Sequence, residues 1–229
     1  MKLLGRAISF NSLALGAFAL ATTGTIAATY LGTRDIIVKQ ERAARAKALL
    51  EIVPRERHDN SMLDSSISVS DKELLSLEEP SELFFATKAG QPVAFIIPAV
   101  APDGYGGAIR LITGVNVDGT IAGVRVLAHN ETPGLGDKVE LKKSDWLLGF
   151  DGKSLRDPQP EQWKVKKDKG AFDQFTGATI TPRATTRAVY QTLMYYQTHR
   201  KALLEQAKST TSAPSPDAVT VQSEESQDE

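Results

Sequence analysis

Two short clusters hold the residues whose types and spacing could do chemistry. The first is His129–Asn130–Glu131–Thr132–Pro133–Gly134–Leu135–Gly136–Asp137–Lys138. Its proline and glycines predict a sharp, rigid loop with uncovered backbone amides, able to lie flat against a planar ligand. An ordinary turn with polar decoration fits the same residues. The second is Asp173–Gln174–Phe175–Thr176–Gly177–Ala178–Thr179–Ile180–Thr181–Pro182. Gly177 and Ala178 leave almost no side-chain bulk beside Thr179, so its hydroxyl is open to another molecule. A helix predicted from Thr181, with Thr181 as its cap and Pro182 at its first position, brings unpaired amides and a positive dipole end close by. A phosphate attached there would find donors in place. A capped helix start alone would explain Thr181 and Pro182, but neither Asp173 nor the stripped surroundings of Thr179.

Composition narrows the chemistry further. The 229 residues carry 27 Lys plus Arg against 28 Asp plus Glu, a net charge of -1, so no global basic field exists to hold nucleic acid. The chain has no cysteine, which removes disulfides, thiolate metal sites and iron–sulfur ligation. His58, His129 and His199 are too scattered to suggest a metal cluster. Any redox chemistry must use an organic cofactor.

The elements that would position these clusters follow from patterning. Ala7 to Thr33 carries no charge and lies between Arg6 and Arg34. Roughly 20 apolar residues cross a bilayer, so this stretch predicts a transmembrane anchor at 7–33 with residues 1–6 beyond it. A cleaved signal peptide has a similar charged start, but its apolar core runs only ~7–15 residues. Residues 34–54 predict a juxtamembrane helix, with Ala44, Ala48, Leu49 and Ile52 in one stripe and Pro54 as its stop. Arg34, Lys39, Arg42, Arg45 and Lys47 on that flank would, by simple counting, hold it in the cytoplasm.

Residues 55–207 predict the folded domain, and 208–229, rich in Ser, Thr, Pro and acidic residues, a disordered acidic tail. Within the domain, 83–86 and 92–100 read as strands around the Ala89–Gly90 turn. Residues 108–117 and 121–130 read as a second pair around Asp118–Gly119. Segment 143–150 reads as a short helix carrying Trp146, and Trp146 and Trp163 as core aromatics. Strands first and one long helix last predict an α+β domain with a mostly antiparallel sheet. No dinucleotide fingerprint, Gly-x-Ser-x-Gly elbow or histidine metal motif occurs, so no catalytic acid, base or nucleophile is expected.

The string Asp-x-x-Thr-Gly-Ala-Thr, read with Glu131–Thr132–Pro133–Gly134–Leu135–Gly136, resembles the FMN-binding domain family. The wider run from Pro102–Asp103–Gly104–Tyr105–Gly106–Gly107 through Ser144–Asp145–Trp146 to Thr181–Pro182 is similar to its Rnf (Rsx) branch, found in ion-translocating electron-transport complexes. The resemblance implies FMN carried covalently, through its phosphate, on Thr179. It implies that Asp173, Thr176, Gly177 and Ala178 are read by a flavin transferase, and that Glu131, Thr132, Leu135 and Gly136 lie against the ring or ribityl chain. Thr181 belongs to the same cofactor-binding set, with His129 and Lys138 weaker members. It further implies a bacterial inner-membrane location with the domain in the periplasm, where the transferase acts, against the arginine count. Partners would be the other subunits of an Rnf-type membrane complex, whose translocase reaction belongs to the assembly. The related C subunit of the sodium-pumping NADH:quinone oxidoreductase shares both motifs and is one alternative; an unflavinylated scaffold module is the other.

Overall fold

A computed structural model describes residues 2–212, and the chain divides into two compact units between Lys47 and Ala48. Helix α1 runs Lys2–Ile52. Within it, Asn11–Arg34 is the one described segment long and apolar enough to cross a membrane, with a mean hydropathy of 1.4. Its threonines do not spoil that character. Thr25, Thr29 and Thr33 each donate their hydroxyl to the carbonyl four residues back, at 2.8, 2.9 and 2.8 Å, so the polar groups are met inside the helix.

The second unit contains one five-stranded antiparallel sheet in sequential order. Its strands are β1 Ser66–Val69, β2 Ser81–Lys88, β3 Gln91–Gly104, β4 Gly107–Asn116 and β5 Ile121–Ala128. Helix α2, Ile180–Ser212, follows a long run of loops and short 3-10 turns. The fold is α+β, as the order of elements predicts.

Strands β2 and β3 carry continuous apolar runs because both sheet faces are covered. Successive side chains point to opposite faces, so Phe84, Ile96 and Ile112 enter one core while Phe85, Phe95, Ile97 and Leu111 enter the other. The second core is completed by α2 through Val189, Leu193 and Tyr196. The first is completed by Leu49, Ile52 and Val53.

The structure adds to these expectations in four places. The compact unit starts at Ala48 rather than residue 55, because the last turn of α1 supplies a side of the core. Strand β1 lies in a region without a strand expectation; it is four residues long, half polar and at the sheet edge, so it carries almost no periodic signal. Helix α2 starts at Ile180, not Thr181, which makes Thr179 rather than Thr181 the residue flanking its first turn. It also runs through Ser212, into the segment expected to be a disordered tail from 208; residues 213–229 of that tail lie outside the described residues.

Candidate functional site

The two clusters come together at the start of α2. Phe175 to Ala178 forms a tight turn, closed by the Ala178 amide donating to the Phe175 carbonyl at 3.2 Å. Gly177 sits in that turn at φ +82°, a conformation that side chains resist. A Cβ there would meet Leu135 Cδ2 at 3.4 Å, so the tip of the Pro133–Gly136 loop lies against the turn that precedes Thr179. Leu135 and Ile180 remain 43% and 45% exposed, forming an apolar surface next to that threonine. Thr179 is half-buried, and its carbonyl accepts the first α2 bond, from the Arg183 amide at 3.3 Å.

Aromatic packing holds the second cluster in place. Phe150 stacks on Phe172 at 4.5 Å, and Trp146 meets both Phe150 and Phe175 edge-on at 5.1 and 5.0 Å. Trp146 also donates its indole N–H to the Asp173 carbonyl at 2.8 Å. With Phe172 and Phe175 buried, Asp173, Gln174, Thr176 and Gly177 are turned out to solvent. Trp163 joins the same cluster and is 5% exposed. A cleft of about 220 Å³ lies between Trp146 and Asp173, and Thr179 does not line it.

Ion pairs surround the start of α2. Lys166 meets the Asp173 carboxylate at 2.6 Å, and Arg183 grips Asp168 through two bonds of 2.5 Å. Those bonds hold the Asp168 carboxyl below its usual range and raise Arg183. Arg187 pairs with Asp103 of the β3–β4 hairpin.

Glu131 and Thr181 occupy places that sequence reasoning missed. Glu131 is 4% exposed, and Thr181 is fully buried. The Thr181 hydroxyl donates to Glu131 Oε2, while Oε1 accepts from the Gly106 amide at 2.9 Å. Gly136 closes over this pair, since a Cβ there would stand 2.9 Å from both Glu131 Oε2 and Thr181 Oγ1. Thr132 is exposed, and its carbonyl accepts the Leu135 and Gly136 amides at 3.1 and 3.0 Å. His129 and Lys138 are half-buried. The glycine-rich tip at Gly104–Gly107 was the available clue to the Gly106 contact, because such a tip lets a distant segment of the chain approach its backbone closely.

Residues 104–194 match the FMN-binding domain, and residues 1–52 match the RnfG N-terminal region. The chain is 48% identical over 200 residues to the G subunit of the ion-translocating oxidoreductase complex of Vibrio vulnificus (strain YJ016), covering 87% of this chain and 94% of that one. It is 50% identical over 199 residues to the G subunit from Pseudomonas aeruginosa (strain UCBPP-PA14), covering 87% and 93%. The G subunit from Pseudoalteromonas atlantica is 47% identical over 196 residues, covering 86% and 91%.

Proposed function

The chain belongs to the family of G subunits of ion-translocating oxidoreductase complexes, and from that premise we propose that it holds FMN covalently on Thr179 and relays electrons within such a complex. The observation that carries this reading is the meeting of the two motif loops, Leu135 against Gly177, beside a threonine at the start of a long helix. The surroundings fit the group. The positive dipole end of α2 and the amide of exposed Ile180 at its start suit a phosphate, and exposed Leu135 and Ile180 suit the apolar face of a flavin. Attachment would join Thr179 Oγ to the flavin phosphorus as a phosphate ester, the hydroxyl proton leaving with the group displaced from phosphorus. The protein gains the mass of FMN less water.

When bound, FMN supplies the reversible uptake of electrons, and the protein supplies tether, orientation and electrostatic setting. Asp173, Thr176, Gly177 and Ala178 form the segment that a flavin transferase reads. The first three are exposed while Phe172 and Phe175 pin the segment from beneath. Residues 7–33 anchor the chain in the inner membrane, 1–6 remain in the cytoplasm, and the domain works in the periplasm. The remaining subunits of the complex are its partners. Denaturing electrophoresis under ultraviolet light tests the central claim. A fluorescent band that vanishes in Thr179→Ala supports it, whereas a colourless wild-type band from cells containing the transferase would sink it.

A further inference from the structure

Glu131 would be expected to face a bound flavin, yet both oxygens of its buried carboxylate are taken by the protein. One bond reaches the β3–β4 hairpin at Gly106, and the other reaches the first turn of α2 at Thr181. Two glycines flank the carboxylate. A Cβ at Gly104 would stand 2.8 Å from Oε1, and one at Gly136 would stand 2.9 Å from Oε2. The carboxylate therefore lies in a slot that only bare backbone leaves open.

The Glu131 backbone is held as well. Its amide donates to His129 Nδ1 at 3.0 Å, which requires a lone pair on that nitrogen. The proton of the neutral ring must then be on Nε2, which donates to Glu140 Oε1 at 2.9 Å.

We infer that Glu131 is a positioning residue: with His129 in its Nε2–H tautomer as brace, it sets the spacing between the Pro133–Gly136 loop, the β3–β4 hairpin and the start of α2, and so the place of Thr179. Its role is as a hydrogen-bonded bridge between elements, not as a charge acting on the flavin. The inference rests on the reading of Thr179 as the flavin site, and its test separates the two.

Amide hydrogen exchange is measured on the full chain in a Thr179→Ala background, which carries no flavin under that reading. Glu131→Ala should speed exchange at Gly106, Arg183 and Ala184 by about tenfold or more. Thr181→Val, which removes only the second donor, should speed exchange at Arg183 and Ala184 and leave Gly106 protected; it also serves if Glu131→Ala does not fold. Glu131→Gln should restore protection at both ends, since its amide can accept from Gly106 and donate to Thr181. With Thr179 restored, Glu131→Ala should cut the flavinylated fraction, while Glu131→Gln keeps that fraction and the flavin midpoint potential of wild type. Nitrogen-15 spectra should place the His129 proton on Nε2. Unchanged exchange in Glu131→Ala, or a shifted potential in Glu131→Gln with wild-type exchange, would overturn the inference. If Thr179→Ala still carries flavin, the attachment site is wrong, and the exchange data judge Glu131 on their own.

Discussion

Ile52 packs on the bare backbone of Gly114: a methyl group at that glycine would overlap Ile52 Cγ2. Gly123, the cross-strand partner of Gly114, also lacks a side chain, and a Cβ there would touch Ile52 at 3.5 Å. A glycine pair across β4 and β5 thus forms the seat for the last turn of α1. Gly114→Ala should cost about 1–3 kcal/mol by overpacking. Urea unfolding of a domain beginning at Ala48 measures it, and a loss below the error of the method would mean that Ile52 shifts freely.

The same seat predicts where the domain can be cut. Leu49, Ile52 and Val53 are 1%, 2% and 0% exposed, and burial of such side chains is worth about 1.5–3 kcal/mol each. A domain starting at residue 55 should unfold at lower denaturant or aggregate, beside one starting at Ala48 that behaves as a cooperative unit. Equal midpoints would show that the segment adds nothing.

Thr179→Ala should lose covalent FMN and change stability by no more than ~1 kcal/mol, because no large buried side chain is removed. Asp173→Ala should also stay unmodified, through failed recognition by the transferase. Intact-mass measurement after coexpression reads both, and an unaltered gain of FMN less water in Thr179→Ala would exclude this threonine.

Thr181→Val should cost about 1–3 kcal/mol, since it leaves a buried acceptor on Glu131 without its donor. That is the penalty of a broken buried bond rather than of a lost helix cap. Thermal unfolding of the unflavinylated protein measures it directly.

A reporter active only in the cytoplasm, fused after Lys208, should be silent if the domain lies in the periplasm. Strong activity would mean that Arg34, Lys39, Arg42, Arg45 and Lys47 set the orientation instead.

Tyr196 links packing to alkaline stability. Its hydroxyl donates to the Val117 carbonyl at 3.1 Å, and burial raises its pKa above the ordinary tyrosine value. The unfolded chain then releases this proton first, so the stability it contributes is full below pH ~10 and is lost as pH rises through the folded value. Tyr196→Phe should flatten that alkaline decline, visible as a smaller drop in unfolding midpoint between neutral pH and strongly alkaline buffer.

Much of this molecule is determined by local sequence. The strands are legible because residues such as Phe84–Phe85 and Ile96–Ile97 send neighbouring side chains into cores on opposite faces, so apolar runs persist between turn residues. The apolar span, the long last helix and the two motif loops are likewise encoded in short stretches, whose composition sets backbone geometry or hydropathy directly. Tertiary structure alone decides the rest. Edge strand β1 exists because β2 offers it a partner, and Leu49 to Val53 belong to the domain because a glycine pair distant in sequence leaves room for Ile52. Thr181 has the sequence of a helix cap, yet its hydroxyl turns to a carboxylate 50 residues away. Spacing along a chain reports which side chains share a face, whereas a buried polar group takes whichever partner the packed elements bring within reach, and that choice is made only on folding.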